Sequence, residues 1–308
     1  MTARSQDAVT KEDLDDYLAN SSDFAFELRV LKCLTDKALT CRHGESYVDP
    51  ITGKDRTFDI RASWQDANFR LALAVECKNL RQNYPLLIHC VPRTTGEAFH
   101  DVSAAVDGER LEYSMSRLVT PRPHCKVFRR EGASSLYKSG DPVGKSCVQV
   151  GSKSDSTKKP SDADIYDKWS QAISSLHDLT YSAATVENGS SLPLALTILL
   201  PVLVVPDERM WVVEYDASGG MASEPRQVDR CSYYVNKSYW HDHAYVGEGL
   251  AVSHLEFVTQ RGLVELIDMV AADALGPKKL FALDVVKEHV STVGRPAGIR
   301  PGGFNPSY

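Results

Sequence analysis

The segment RLALAVECKN, residues 70–79, ends an apolar run with an acid and a base two residues apart. Side chains alternate between the two faces of a strand, so Glu76 and Lys78 are predicted to share a face. The segment TFDIRA, residues 57–62, alternates in the same way and is predicted to place Asp59 on the polar face of another strand. If these strands are neighbours, the two carboxylates approach each other and need a proton or a cation between them. Oxygen ligands of this kind favour Mg²⁺.

A third carboxylate, Glu27, lies on a predicted helix over residues 23–36, for which Asp23 is a suitable N-cap. At 100° per residue Glu27 falls inside the predicted buried stripe of this helix, where an unpaired charge is costly. A glutamate stabilised by the dipole of the first helical turn is the alternative interpretation. The predicted inward stripe consists of apolar residues at helical spacing, namely Phe24, Leu28, Leu31 and Leu34.

The acid–base triplet has a simpler interpretation, in which Glu76 and Lys78 merely pair on the exposed edge of a half-buried sheet. About one Glu-x-Lys triplet is expected by chance in a chain of this composition, so the triplet alone is weakly diagnostic. Its position at the end of a strongly apolar strand favours a site. Asp49, which precedes Pro50 in a predicted loop, is an alternative to Asp59 as a cation ligand.

The elements that must position these residues follow from apolar periodicity. The predicted order is helix, three strands, an irregular insertion, helix, two strands and helices, which is an α/β fold with a mixed central sheet flanked by helices. The predicted helices cover residues 8–20, 23–36, 162–184, 260–273 and 277–291, and the predicted strands cover residues 57–64, 70–79, 85–92, 194–205 and 210–215.

The composition is that of a globular protein, with 308 residues, 43% hydrophobic and 25% charged. Its longest apolar run, residues 194–205, is shorter than the roughly 20 residues needed to span a membrane. The N-terminal segment has no apolar region typical of an export signal. The seven cysteines form no Cys-x-x-Cys pair, so we expect a reducing, cytoplasmic environment. From the short apolar run we expect no membrane association.

Glu27 in FELRVLKCL, Asp59 in TGKDRTFDIRA and Glu76 with Lys78 in LAVECKN together resemble the PD-(D/E)XK nuclease superfamily. This is the restriction-endonuclease-like fold, and the Mrr-type branch is the most similar. The resemblance covers residues 20–92, and the family's later helix and strand correspond to 162–184 and 194–205. No proline precedes Asp59, in contrast to the family pattern, which keeps Asp49 as the alternative ligand.

The resemblance implies Mg²⁺, with Mn²⁺ as a substitute, held by Asp59, Glu76 and the backbone carbonyl of Cys77. It implies that Lys78 orients the attacking water and that Glu27 supports the site or contacts a second metal. The implied reaction is hydrolysis of phosphodiester bonds in DNA, with RNA as an alternative substrate. The resemblance further implies defence against foreign DNA or repair, and a homodimer or a complex with a partner subunit. A catalytically inactive nuclease-fold scaffold that binds nucleic acid or a partner protein is the second hypothesis.

Residues 117–159 carry ten Lys and Arg and three acids, a net +7, whereas the whole chain carries −6. Because phosphate contacts dominate nucleic-acid affinity, this basic segment is predicted to form the nucleic-acid path. A solvated loop that only balances the acidic remainder is the alternative, and residues 139–161 are predicted to be a mobile loop. The predicted phosphate contacts are Asn79, Arg81, Arg93, Arg122, Lys126, Arg129 and Arg130.

We therefore predict one nuclease-like domain over residues 1–291. Its core is predicted to comprise 20–92 and 162–215, with a basic insertion at about 117–160. Extra C-terminal elements are expected over 216–291, followed by a disordered tail over 292–308.

Overall fold

The structure is a computed structural model that describes residues 8–20, 22–49, 52–106, 124–151, 162–184, 194–239 and 249–284. Its helices are α1 (Lys11–Asn20), α2 (Phe24–Asp36), α3 (Asp162–Ala183) and α4 (Gln260–Leu275). None of these helices has the length and apolarity that a bilayer span requires. The strands are β1 (Thr40–His43), β2 (Ser46–Val48), β3 (Asp55–Thr57), β4 (Ile60–Asp66), β5 (Phe69–Cys77), β6 (Leu86–Pro92), β7 (Phe99–Val106), β8 (His124–Glu131), β9 (Pro142–Gln149), β10 (Leu194–Val205), β11 (Met210–Glu214), β12 (Arg226–Gln227), β13 (Arg230–Tyr239) and β14 (Leu250–Thr259).

A large mixed sheet with helices on its faces confirms the predicted α/β class. Its strand order over the described residues is β1-β4-β5-β10-β14-β13-β9-β6-β11-β12, while β7 pairs with β10 and with β8. Strand β4 is antiparallel to both β1 and β5, and β10 is parallel to both β5 and β14. The hairpin of β2 and β3 forms a separate small sheet.

Strand β5 is buried along its whole length and separates two hydrophobic cores. Leu71, Leu73, Val75 and Cys77 belong to the core that also contains residues of α2 and α4. The alanines on the other face, Ala72 and Ala74, pack in the core beneath α3. The predicted alternation of this strand is therefore confirmed. Two small side chains under α3 let that helix approach the sheet closely.

The buried stripe of α2 differs from the predicted one. Phe26, Val30 and Leu34 are fully buried, whereas Phe24 is 59% exposed and Leu28 is 44% exposed. Both sets have helical spacing and share Leu34, so periodicity alone does not choose between them. Tertiary packing selects the set that faces β4, β5 and α4.

Three further predictions need correction. The predicted strand over residues 57–64 is broken, because Asp59 lies in a bend between β3 and β4. The basic insertion is not irregular, since β8 and β9 are paired strands of the large sheet. Residues 277–282 form no helix. Residues 283–284, within the helix predicted over 277–291, are helical. The described residues do not include 285–291, the predicted tail over 292–308 or the stretches 107–123 and 152–161.

Candidate active site

Asp59 and Glu76 meet at the carboxyl end of β5. The register of β4 and β5 pairs Ile60 with Val75, so the next step along the ladder sets Asp59 beside Glu76. The backbone N–H of Asp59 donates to Glu76 Oε1 at 3.4 Å, and the N–H of Cys77 donates to Asp59 Oδ2 at 2.8 Å. Local backbone therefore holds both carboxylates in fixed positions. The predicted proximity of these two acids is what the structure shows.

A lysine that the sequence analysis did not select contacts both acids. Lys168 of α3 places its Nζ 3.0 Å and 2.8 Å from the two carboxylate oxygens of Asp59, and 3.4 Å from Glu76 Oε2. A signal existed in the sequence, because Lys168 lies three residues after Ile165 and four before Ala172, both apolar and at helical spacing. The criterion that selected Glu27, a charge within an apolar helical face, also applies to Lys168.

Burial and the charges of neighbouring groups together set the electrostatics of this cluster. Glu76 is fully buried, and burial followed by the charge of Asp59 raises the pKa of its carboxyl well above the usual value. Burial also opposes the charge on Lys168, but the charges of Asp59 and Glu76 outweigh it and raise the pKa of this ammonium. A buried carboxylate pair thus shares one cation, the arrangement that two adjacent acids require.

Among the described residues, the Lys78 ammonium contacts Asp23 rather than Asp59 or Glu76. Its Nζ donates to Asp23 Oδ2 at 3.2 Å, while the N–H of Asn79 donates to Asp23 Oδ1 at 2.7 Å. Asp23 is the residue preceding α2, as predicted, yet its side chain makes no capping bond and instead ties the helix to the end of β5. The backbone of Lys78 continues the ladder by donating to Val204 of β10 at 2.9 Å.

Glu27 is mostly buried and lies at the margin of the cluster. Its Oε2 is 3.3 Å from Nε2 of His43 at the end of β1. Burial and the charge of Asp59 raise the pKa of Glu27, while the bond to His43 and the charge of Lys168 lower it in part. The charge on Glu27 is therefore coupled to the charges of Asp59 and Lys168.

Asp49, the alternative ligand, serves the hairpin of β2 and β3. Its side chain is buried, accepts from the N–H of Thr52 at 3.0 Å and pairs with Arg56 at 2.9 Å. These contacts stabilise the turn between the two strands. The geometry favours Asp59 over Asp49 as a ligand beside Glu76.

The predicted phosphate contacts near β5 have different environments. Asn79 donates its side-chain amide to the carbonyl of Ser22 at 3.0 Å, and Arg81 is partly buried. Arg93 is buried and donates to three neighbouring groups far along the sheet from β5. It does not lie on the surface beside Glu76, which corrects the expectation that it reaches phosphate there.

The basic residues of β8 do not line a path to the carboxylates. Register places Lys126 opposite Ala104, which pairs with Leu196 and through it with Phe69 at the start of β5. Glu76 is seven residues further along β5, or about 23 Å at roughly 3.3 Å per residue.

The other basic residues predicted to contact phosphate in this segment either bond to neighbouring groups or lie outside the described residues. Arg129 pairs with Asp101 at 3.0 Å, and buried Arg130 donates to the carbonyl of Lys279 at 2.9 Å. Arg122 lies outside the described residues. The basic nucleic-acid path stays a prediction for this segment.

The carboxylate pair has a donor set that fits a hard divalent cation. Asp59 and Glu76 offer charged oxygens, and a cationic group already lies in contact with both. The backbone carbonyl of Cys77 is the third predicted oxygen. Among the described residues there is no cluster of three or more His, Cys, Asp and Glu side chains that would by itself hold a metal ion. Further ligands would have to come from backbone, water or substrate.

Comparison of the chain with known proteins gave no match to a family model, a curated protein or a solved structure.

Proposed function

We propose that this protein is a Mg²⁺-dependent nuclease with a restriction-endonuclease-like core that hydrolyses phosphodiester bonds of DNA. The observation that carries the proposal is the convergence of Asp59 and Glu76 on a single ammonium group at the end of a buried strand. A pair of buried carboxylates is costly to maintain and is more typical of a functional site than of a stabilising ion pair.

The order of the elements supports the proposal. Helix α2 precedes three successive antiparallel neighbours, β1, β4 and β5, and α3 then leads to β10, parallel to β5. Helix α3 and strand β10 are the elements that the family resemblance assigns to residues 162–184 and 194–205. In this order α2 brings Glu27, β5 brings Glu76 and α3 brings Lys168 to one end of the sheet.

Each residue of the site has its own role in the proposed hydrolysis. Asp59, Glu76 and the carbonyl of Cys77 would hold Mg²⁺, which when bound supplies a Lewis acid for phosphate and lowers the pKa of water. Lys168 lies where negative charge develops on the phosphate and stabilises that charge. Glu27, paired with His43, accepts a proton from water or orients it. Lys78, fixed by Asp23, contacts a neighbouring phosphate oxygen.

Cytoplasmic action on foreign or damaged DNA, as a homodimer or with a partner subunit, accompanies this proposal. Two sites are needed to cut two strands, which favours a dimer. RNA is the alternative substrate and Mn²⁺ the alternative metal, since the carboxylate chemistry is the same for both.

A non-catalytic scaffold is the second candidate, and one observation favours it. The Lys168 ammonium contacts both carboxylates, so it neutralises the charge that would otherwise attract a metal ion. A protein that retained the fold only to bind a partner would be stable in this arrangement.

The decisive test is incubation of supercoiled plasmid with Mg²⁺ and the full chain or its Glu76→Gln variant. We expect Glu76→Gln to lower the cutting rate at least ~100-fold, since it removes one metal ligand. Glu265→Gln, a change at an exposed acid of α4, is the matched control and should cut normally. An RNA substrate and Mn²⁺ form parallel arms.

A Mn²⁺ titration by calorimetry separates the two candidates without relying on activity. Binding that is lost in Glu76→Gln supports the metal site. Cutting that survives Glu76→Gln, or a wild-type chain that neither cuts nor binds Mn²⁺, would leave the scaffold as the better description.

A further inference from the structure

A cavity of about 250 Å³ lies among β6, β9, β11 and β13, away from the carboxylate pair. Three arginines and one acid are found among its described lining residues. The charge of this lining contrasts with the net −6 of the whole chain. The polar residues that matter for the argument are Arg93, Arg226, Arg230, Ser232 and Asp141.

Arg93 is a buried cation whose charge is poorly compensated. Its guanidinium donates to Nε2 of His254 at 3.2 Å, to the carbonyl of Lys138 at 2.9 Å and to the hydroxyl of Ser232. All three acceptors are neutral, because burial and the charge of Arg93 lower the pKa of His254 to about 2. The nearest carboxylate, on Asp141, is 3.9 Å away and 60% exposed. Burial accordingly lowers the pKa of Arg93.

Arg230 and Arg226 add charge from the other walls. Arg230 makes two bonds to the buried carboxylate of Glu256, at 2.8 Å and 2.9 Å, and its side chain is still 26% exposed. Arg226 pairs with Glu214 at 2.9 Å and is 53% exposed. Neither of these two glutamates lines the cavity, so each arginine is paired outside it while also contributing to its wall.

We propose that this cavity binds a small phosphate-bearing molecule. A bound anion would compensate Arg93, which otherwise keeps a buried charge among neutral acceptors. Guanidinium groups bind phosphate through paired donors, and Arg93, Arg226 and Arg230 surround the space. The volume is just below the roughly 300–1,000 Å³ of typical small-molecule sites, which limits the ligand to about the size of a mononucleotide.

The cavity is separate from the carboxylate pair, although it lies at the same edge of the sheet. Glu76 pairs with Leu203, the neighbour of Leu203 on β14 is Phe257, and Phe257 pairs with Cys231 in the cavity wall. Three strand spacings of about 4.8 Å amount to about 14 Å. The cavity lining therefore includes none of the side chains proposed for the nuclease chemistry.

The test is calorimetric titration of the full chain with AMP, with inorganic phosphate and with adenosine. We expect AMP and phosphate to bind, adenosine not to bind, and AMP affinity to fall as salt increases. Arg226→Gln should weaken AMP binding roughly ten-fold or more, as expected for loss of one charged hydrogen bond. Its matched control is Arg261→Gln, because Arg261 is 56% exposed, pairs with Asp229 and does not line the cavity.

Two further variants locate the bound phosphate. Glu76→Gln and Lys168→Gln should bind AMP with unchanged affinity. Loss of binding in Lys168→Gln with normal binding in Arg226→Gln would assign the phosphate to the carboxylate cluster and overturn the proposal. Equal binding of adenosine and AMP, or no binding of AMP and phosphate at millimolar concentration, would also overturn it.

Discussion

At the scale of single residues, the site contains two lysines with different attachments. The Lys168 ammonium contacts Asp59 and Glu76, whereas the Lys78 ammonium contacts Asp23. The family resemblance implies that Lys78, two residues after Glu76, orients the attacking water. In the proposed mechanism the charge-stabilising role falls to Lys168, which comes from an element about ninety residues later in the chain.

We expect Lys168→Gln to lower the DNA cleavage rate at saturating Mg²⁺ roughly 100–1,000-fold, the loss typical of removing one charge-stabilising donor. Lys78→Gln should cost about ten-fold, because its ammonium is bound to Asp23. Single-turnover kinetics on a labelled duplex measure both.

Lys168→Arg is the conservative control and should restore part of the rate, since it returns the positive charge. A larger loss in Lys78→Gln than in Lys168→Gln would return the role to Lys78.

At the scale of elements, α2 positions Glu27 by burying the stripe Phe26, Val30 and Leu34 against the sheet. Because this stripe faces the sheet, Glu27 lies beside it and contacts His43 of β1. The contacts of Asp23 with Lys78 and Asn79 then fix the start of the helix to the end of β5. The orientation of α2 is thus set at both its side and its beginning.

Phe26→Ala should lower the free energy of unfolding by about 3–5 kcal/mol, as for a fully buried phenylalanine. Phe24→Ala, two positions earlier and 59% exposed, should change it by no more than about 0.5 kcal/mol. Urea denaturation followed by circular dichroism gives both values. The stripe predicted from periodicity would require the opposite ranking.

At the scale of the whole molecule, one sheet joins the proposed nuclease core to the remaining strands. The join includes Gly144 of β9, which lies between Cys90 of β6 and Tyr233 of β13. A Cβ atom at Gly144 would lie 2.8 Å from side-chain atoms of Ile88 and Tyr233, so the three strands meet closely only with glycine there. The segment predicted as an insertion is therefore a structural part of the sheet.

The buried carboxyl of Glu76 should make the free energy of unfolding of the whole chain depend on pH. The pKa of Glu76 is raised in the folded state, so the folded protein binds more protons than the unfolded chain above the usual glutamate pKa of 4.5. Stability contributed by this group is present below that pH and is lost as pH rises toward the folded pKa.

The Glu76→Gln variant lacks this titrating group and does not lose this stability as pH rises. Its free energy of unfolding minus that of the wild type should therefore increase by roughly 0.5–2 kcal/mol between about pH 5 and pH 8. Chemical denaturation at both pH values measures the difference. The exposed-site variant Glu265→Gln should show no such change. A wild-type chain that gained stability relative to Glu76→Gln over this range would contradict the raised pKa.

Sequence patterns predicted the α/β class of fold, the four described helices and five of the fourteen described strands. They predicted the approach of Asp59 to Glu76 on the condition that the two strands are neighbours. Strand alternation is a local property, and it placed Leu71, Leu73 and Val75 on one face as observed. Apolar runs likewise located β5, β10 and α3 within a residue or two of their actual ends. The roles proposed for these residues remain predictions.

Only the tertiary structure decided which stripe of α2 is buried, which lysine joins the carboxylates and where the basic strands lie. Each of these depends on contacts between segments distant along the chain, such as Lys168 with Asp59 and Gly144 with Tyr233. Local periodicity sets which faces an element offers, whereas packing between elements determines which of those faces meet and which charges are brought together.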